Sequence, residues 1–160
     1  MALSEAALAR WEADAYRAAA DRVATIDIWV DDPDVEVASR AAALLAWFPP
    51  TQGTVSTLLA VPADLPYTPA RASANLALTH LPVTDRLVNE GLQHLLTPPD
   101  GLAAVTAAIA LAYRTGDAIP DPALIVLVDV MNYDLPIGVT GWDRALCGFV
   151  APARQHIGLT

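Results

Sequence analysis

Apolar residues recur every three or four positions along most of this chain, which is the spacing of one face of an α-helix. The spacing is clear in residues 8–19 and again in residues 88–95, where polar side chains occupy the intervening positions. Prolines and glycines divide the pattern into segments of about 10–16 residues. The pattern therefore predicts helices over residues 4–20, 22–30, 34–47, 54–61, 69–80, 84–97, 101–114 and 122–132, with a short helix near 142–150.

Capping residues precede several of the predicted helices. Asp32, Thr68 and Asp121 each stand directly before a proline, and Asp100 stands before Gly101. A short polar side chain can accept a hydrogen bond from the first free backbone amides of a helix, and proline suits the first helical turn. We therefore expect helices to begin at these four points.

Two segments rich in β-branched residues, 26–30 and 124–128, allow a second interpretation. Short apolar runs do not distinguish a buried strand from a buried helix. The sequence leaves a strand open as the alternative at both places.

An internal repeat is the most informative feature of the sequence. The blocks AAALLAWFP (41–49), ANLALTHLP (74–82) and AAIALAYRT (107–115) align without a gap at a constant spacing of 33 residues. Each block begins with alanine, has leucine four positions later, and carries a bulky residue six positions later, namely Trp47, His80 or Tyr113. A second apolar helix follows each block, so the unit is a helix–turn–helix pair. Such pairs cannot bury their apolar faces alone and stack into a solenoid.

Residues 40–50, RAAALLAWFPP, are too apolar for a helix that lies half-exposed on a surface. An inner helix of a stack contacts its own partner helix and both neighbouring repeats. We therefore expect Leu44 and Leu45 to fill opposite sides of this helix, and the two prolines to force the turn into the next one.

Residues 32–49, DPDVEVASRAAALLAWFP, resemble the first helix of a HEAT repeat, in particular the short repeats of bacterial HEAT-like proteins of the phycobilisome-lyase type. In that family an aspartate precedes the helix and a valine–arginine pair occupies its first turn. Asp34 and Asp100 fall at the aspartate position, Val37 at the valine and Arg71 at the arginine.

The chain departs from the family pattern at three places. Ala38 and Ala104 stand at the arginine position, and Tyr67 stands at the aspartate position of the middle repeat. The resemblance therefore implies an Asp–Arg ladder between repeats that is interrupted in this chain.

The resemblance covers residues 20–132 and implies an all-α fold, namely a right-handed α-solenoid of stacked antiparallel helix pairs. We expect a single domain over residues 1–160. Its four repeats would occupy residues 4–30, 34–61, 68–97 and 100–132, with a C-terminal cap over 133–160.

The charge balance narrows the classes of partner. The chain has 9 Lys and Arg against 18 Asp and Glu, a net charge of −9, which repels nucleic-acid phosphates and anionic lipid headgroups. No apolar run approaches the ~20 residues that span a bilayer. The single cysteine and a charged N-terminal segment favour a cytoplasmic location. We therefore expect a basic protein partner, with no direct nucleic-acid binding and no membrane association.

The sequence contains no catalytic signature. It lacks GxSxG, a glycine-rich phosphate loop, HExxH and CxxC. None of the three histidines, His80, His94 and His156, is followed by a metal-ligand residue three or four positions later. Asp129, Asn132 and Asp134 could hold a divalent cation, but helix capping and a solvated loop explain them equally well. The sequence thus indicates no catalytic residue, no metal and no cofactor.

These observations favour a non-catalytic protein–protein interaction or scaffold module. In HEAT-like stacks the second helices line a concave surface, and the resemblance implies an acidic one here, with candidate partner-binding residues Asp85, Asn89, Glu90, Gln93, Asp129 and Asn132. Two alternatives stay open. The first is an accessory subunit or lyase-like enzyme that handles a small molecule or tetrapyrrole, and the second is an inhibitor of a basic toxin.

Overall fold

In the part of the chain that the structure describes, every regular element is helical. The computed structural model describes residues 14, 18, 21–45, 48, 51–64, 66–80, 86–97, 101–132 and 142–159. These residues contain eight α-helices and no strand. The helices are α1 (21–29), α2 (Val35–Leu45), α3 (Gln52–Ala60), α4 (Thr68–Ala77), α5 (Arg86–His94), α6 (Leu102–Thr115), α7 (Asp121–Asn132) and α8 (Trp142–His156). Short 3-10 turns follow α4 at Leu78–His80 and α6 at Gly116–Ala118.

The helical periodicity of the sequence predicts these elements well. Residues 26–29 belong to α1 and residues 124–128 to α7, so both β-branched segments are helical. Helix α8 continues to His156, beyond the predicted end at residue 150. The predicted helix over 4–20 lies outside the described residues except for positions 14 and 18, which are helical.

Aspartate side chains define the start of α2. Asp34 Oδ1 accepts a hydrogen bond from the backbone amide of Glu36 at 2.9 Å, and Asp32 Oδ1 accepts one from the amide of Asp34 at 2.8 Å. The helix cap is therefore Asp34 and not the predicted Asp32, which instead supports the turn before the helix.

The start of α4 differs from the prediction in the role of Thr68. Tyr67 is the N-cap and makes no side-chain capping bond, whereas Thr68 Oγ1 donates a hydrogen bond to the carbonyl of Ala63 at 3.1 Å. Thr68 thus ties the helix to the preceding loop. Pro69 lies in the first turn, as predicted.

The even-numbered helices pack against one another in chain order. Helix α4 contacts α2 and α6, and α6 contacts α8. The odd-numbered helices lie against this row, since α3 contacts α4 while α5 and α7 both contact α6. Buried apolar residues from all eight helices form one cluster, which extends from Val23 on α1 to Ala153 on α8.

Buried positions in the row recur at the spacing found in the sequence. Four sets of residues separated by 33 positions are buried in α2, in α4 with the 3-10 turn that follows it, and in α6: 38, 71 and 104; 41, 74 and 107; 42, 75 and 108; and 45, 78 and 111. Small side chains fill most of these positions, which allows the helix backbones to approach closely. The sequence repeat is therefore also a repeat of packing.

The expectation that α2 has protein on both sides is wrong. Leu45 is 2% exposed, but Leu44 is 47% exposed and Ala43 is exposed as well. The difference follows from position in the row. Helix α6 lies between α4 and α8 and is buried at every residue from 104 to 112, whereas α2, at the end of the row, packs on α4.

A buried arginine closes the C-terminal end of α3. Arg71 is 2% exposed, and its Nη1 donates to the carbonyls of Leu59 at 3.2 Å and Val61 at 3.0 Å. The last carbonyl groups of a helix have no hydrogen-bond donor within the helix. The guanidinium of Arg71 donates to two such carbonyls at the end of α3. Burial lowers the pKa of Arg71 to about 10, which leaves the group charged near neutral pH.

Asn75 connects this arginine to α6. Its Oδ1 accepts a hydrogen bond from Arg71 Nε at 2.9 Å, and its Nδ2 donates to the carbonyl of Ala103 at 3.0 Å and to Thr106 Oγ1 at 3.1 Å. A second polar contact, between the hydroxyls of Ser39 and Ser73 at 2.9 Å, joins α2 to α4. Polar side chains therefore link three successive helices of the row.

Candidate functional site

Helix α5 carries three of the six candidate partner-binding residues. Val88 and Leu92 are completely buried and attach the helix to the core. Gln93 is exposed, and Asn89 and Glu90 are partly buried beside the buried face. The amphipathic pattern that predicts this helix thus also places Gln93 toward solvent.

Asn89 is engaged with a buried arginine of α6. Its Oδ1 accepts a hydrogen bond from Arg114 Nε at 2.7 Å, and Arg114 Nη1 donates to the carbonyl of Leu78 at 2.9 Å. Arg114 is 2% exposed. The amide oxygen of Asn89 therefore positions a guanidinium inside the fold, a role that the sequence pattern does not predict.

Glu90 is paired within its own helix. Its carboxylate accepts a hydrogen bond from Nε of Arg86, one turn earlier, and the side chains of Arg86 and Glu90 are 87% and 45% exposed. This hydrogen bond and the charge of Glu90 raise the pKa of Arg86. Arg86 also compensates the negative charge of Glu90, so Glu90 adds less to an acidic surface than its sequence position indicates.

The remaining candidates are only partly described. Asp129 lies on α7 and is partly buried. Asn132 ends α7, but its side chain, like Asp85 and Asp134, lies outside the described residues. Helices α5 and α7 both pack on α6. Within the described part, no hydrogen bond joins Asp129 to the candidates on α5.

Burial of arginines makes the surface more acidic than the composition alone indicates. Arg71 and Arg114 are both buried, in a chain with 9 Lys and Arg against 18 Asp and Glu. Their positive charges act on buried backbone and amide groups and do little to offset carboxylates at the surface. Among the residues whose burial the structure describes, the exposed charge is therefore dominated by Asp and Glu.

The densest run of carboxylates in the described part joins α1 to α2. Its members are Asp27, Asp31, Asp32, Asp34 and Glu36. The sequence pattern explains Asp32 and Asp34 as residues that begin a helix. It therefore does not identify the run as a candidate binding site. The detectable signal is the alternation of acidic and apolar residues in DIWVDDPDVEV, residues 27–37.

The structure shows neither a metal centre nor a membrane-spanning helix in its described part. Nowhere in these residues do three His, Cys, Asp or Glu side chains lie in an arrangement that could hold a metal ion. No described helix has the length and apolar character needed to cross a bilayer.

Comparison with known proteins gives no match: no protein-family model, no curated protein and no solved structure is significantly similar to this chain. The class that the described residues define is an all-α protein with an acidic surface.

Proposed function

We propose that the protein is a non-catalytic interaction module that binds a basic protein or peptide. The observation that carries this proposal is the sign of its surface charge. Two arginines are buried inside the fold, while most of the carboxylate residues whose burial the structure describes are exposed. Such a surface attracts cationic partners and repels polyanions.

We further propose that the architecture is a right-handed α-solenoid of HEAT-like helix pairs. The order of contacts along α2, α4, α6 and α8 supports this proposal. The repeat of buried positions every 33 residues supports it as well. Stacked pairs of this kind provide extended surfaces for protein partners.

The outward faces of α5 and α7 form the proposed binding surface. Gln93 and the partly buried Glu90 and Asp129 supply polar groups, and Leu87 and Ile125, which are 63% and 55% exposed, supply apolar ones. A partner would bury the apolar side chains, while charge complementarity would speed association and select basic sequences.

A capture experiment with charge-reversed variants tests this function. The tagged protein is incubated with lysate of its native cell beside Glu90→Lys/Asp129→Lys, and retained proteins are identified by mass spectrometry. A matched control, Asp64→Lys/Asp117→Lys, makes the same change in charge at exposed positions outside α5 and α7.

We expect the wild type and the control to retain the same basic protein and the α5/α7 variant to lose it. Loss from both variants would indicate a general charge effect without a defined surface. If the wild type retains no basic protein at physiological salt, the proposed function is wrong.

A further inference from the structure

Helix α1 presents apolar side chains on the side that faces away from the core. Val23, Ile26 and Val30 are buried and attach this segment to the core. At about 100° per residue, Ile28 lies on the opposite side of the helix, and it is 72% exposed. Trp29 beside it is 47% exposed. A surface helix normally carries polar residues at such positions.

Acidic residues flank these apolar residues in the sequence. The segment 27–37, which we name the α1–α2 corner, contains five Asp and Glu residues and no Lys, Arg or His. Val37, in the first turn of α2, adds a third apolar side chain that is 37% exposed. The nearest cation along α2 is Arg40, which pairs with Glu36. The corner therefore combines exposed apolar area with a strongly negative local charge.

Hydrogen bonds hold the corner in one conformation. The amide of Asp32 donates to the carbonyl of Trp29 at 3.2 Å, the amide of Asp34 donates to Asp32 Oδ1 at 2.8 Å, and the amide of Ala38 donates to the carbonyl of Asp34 at 2.9 Å. These bonds run from the end of α1 into the first turn of α2. A surface ordered in advance loses less conformational entropy when a partner binds.

Charge decides which partner fits the corner. A second copy of this chain would bring like charges together, and nucleic acid and anionic membranes would be repelled. The carboxylates do not form a metal site within the described residues. A polypeptide with Lys or Arg beside apolar side chains complements both properties of the corner.

We propose that the α1–α2 corner is the docking site for a cationic amphipathic segment of the partner protein. Apolar side chains of that segment contact Ile28, Trp29 and Val37, and its Lys or Arg side chains meet the surrounding carboxylates. This inference rests on the proposed function and adds the corner as a second contact for the same partner, beside the surface of α5 and α7.

Peptide binding to the purified full-length protein tests the inference. The probe is a fluorescein-labelled synthetic peptide of Lys and Leu at amphipathic helical spacing, and its affinity is measured by fluorescence anisotropy at physiological ionic strength. One companion peptide has Ser in place of Leu, and another has Glu in place of Lys. These companions separate the apolar and ionic contributions to binding.

The variants compare the corner with a matched site. Ile28→Ser/Asp31→Lys changes the corner at two exposed positions, and Phe149→Ser/Asp117→Lys makes the corresponding changes at two exposed positions outside the corner and outside α5 and α7. Asp31→Lys alone serves as a second corner variant, because the Asp31 side chain is exposed and makes no hydrogen bond in the described part. Circular dichroism confirms that each variant keeps its helices.

We expect the double corner variant to weaken binding of the Lys/Leu peptide by at least about tenfold, and the Phe149→Ser/Asp117→Lys control to change it less than about twofold. Asp31→Lys alone should weaken binding and reduce its salt dependence. If the double corner variant binds the Lys/Leu peptide as tightly as the wild type does, or loses no more affinity than the control, the inference is overturned while the proposed function stands. If the Lys/Leu peptide binds no more tightly than its Glu companion, both are overturned.

Discussion

Asn75 on α4 and Thr106 on α6 are joined by a hydrogen bond of 3.1 Å between Asn75 Nδ2 and Thr106 Oγ1. The same amide accepts a hydrogen bond from Arg71, whose guanidinium closes the end of α3. Three helices thus meet at one asparagine. Because these side chains are buried, water cannot replace a lost partner, and removal of one group leaves others unsatisfied.

The Asn75→Ala variant should be strongly destabilised. The substitution leaves Arg71 Nε and the hydroxyl of Thr106 without this partner, so we expect the free energy of unfolding to fall by about 2–4 kcal/mol. Urea denaturation measures the change. Thr106→Val is the matched comparison and should cost only about 1 kcal/mol, because Asn75 keeps its bond to the carbonyl of Ala103. Equal effects of the two substitutions would contradict this account of the network.

Arg71→Met should lower the free energy of unfolding by about 1–3 kcal/mol, because the carbonyls of Leu59 and Val61 lose their donor. Arg22→Met, at an exposed position of α1, should change stability by less than about 0.5 kcal/mol. Thermal and urea unfolding of both variants provide the test. The double variant Arg71→Met/Asn75→Ala should be less destabilised than the sum of its single variants by about 1 kcal/mol. Strict additivity would show that the two side chains do not act together.

Two helical glycines should respond differently to alanine. A Cβ on Gly91 of α5 would lie 2.9 Å from Leu59 Cδ2, whereas a Cβ on Gly148 of α8 meets nothing within 4 Å. Alanine in place of glycine inside a helix stabilises it by about 0.5–1 kcal/mol, so Gly148→Ala should show that gain. Gly91→Ala should show little of this gain in stability, because the end of the Leu59 side chain must rotate away from the new Cβ.

The contact with Leu59 can be tested directly in a second background. In a Leu59→Ala protein, Gly91→Ala should recover a gain close to that of Gly148→Ala, as measured by thermal unfolding. If Gly91→Ala stabilises the wild-type protein as much as Gly148→Ala does, the close approach of α3 and α5 is not a constraint.

Asp27 should make the fold less stable as its carboxyl ionises. Partial burial raises the pKa of Asp27 above its usual value of 3.8, and its Oδ1 is buried without a hydrogen-bond partner in the described part. A raised pKa means that the folded protein holds this proton more tightly than the unfolded chain does. The contribution of Asp27 to stability is therefore present in acid below 3.8 and is lost as the pH rises through the folded-state pKa.

Asp27→Asn should accordingly be more stable than the wild type near neutral pH, by less than about 1 kcal/mol since the group is partly solvated. The advantage should shrink as the pH is lowered. Urea unfolding of both proteins across this pH range measures it. An advantage that grows toward acid would have the wrong sign and would refute the burial argument.

The helical spacing of apolar residues predicts the helices because it reports directly on which face is buried. The 33-residue repeat of the sequence also appears in the packing of the helices, since Ala41, Ala74 and Ala107 occupy matching buried positions. The exposure of Leu44 could not be predicted in this way. It depends on where α2 lies in the row, and repeated sequences look alike whether a helix is central or peripheral.

The polar contacts are the part of the molecule that the sequence did not predict. The resemblance to HEAT repeats places Arg71 at the arginine position, but its Nη1 binds two backbone carbonyls of α3 and its C-cap, and backbone groups are present whatever the side chain is. Likewise, Asn89 and Arg114 are 25 positions apart and belong to different helices. No local spacing connects them, so Asn89 looks like a free surface residue in the sequence.

The buried pair on α4 has a consequence for how the chain assembles. Positions 38 and 42 of α2, and 104 and 108 of α6, are alanines where α4 has Arg71 and Asn75. If α4 exchanged places with either neighbour, or paired with the corresponding helix of another copy of the chain, the guanidinium would be buried away from the end of α3. The polar pair therefore penalises shifted and domain-swapped arrangements that the alanine repeat alone would tolerate, and it specifies a single order of otherwise similar helices.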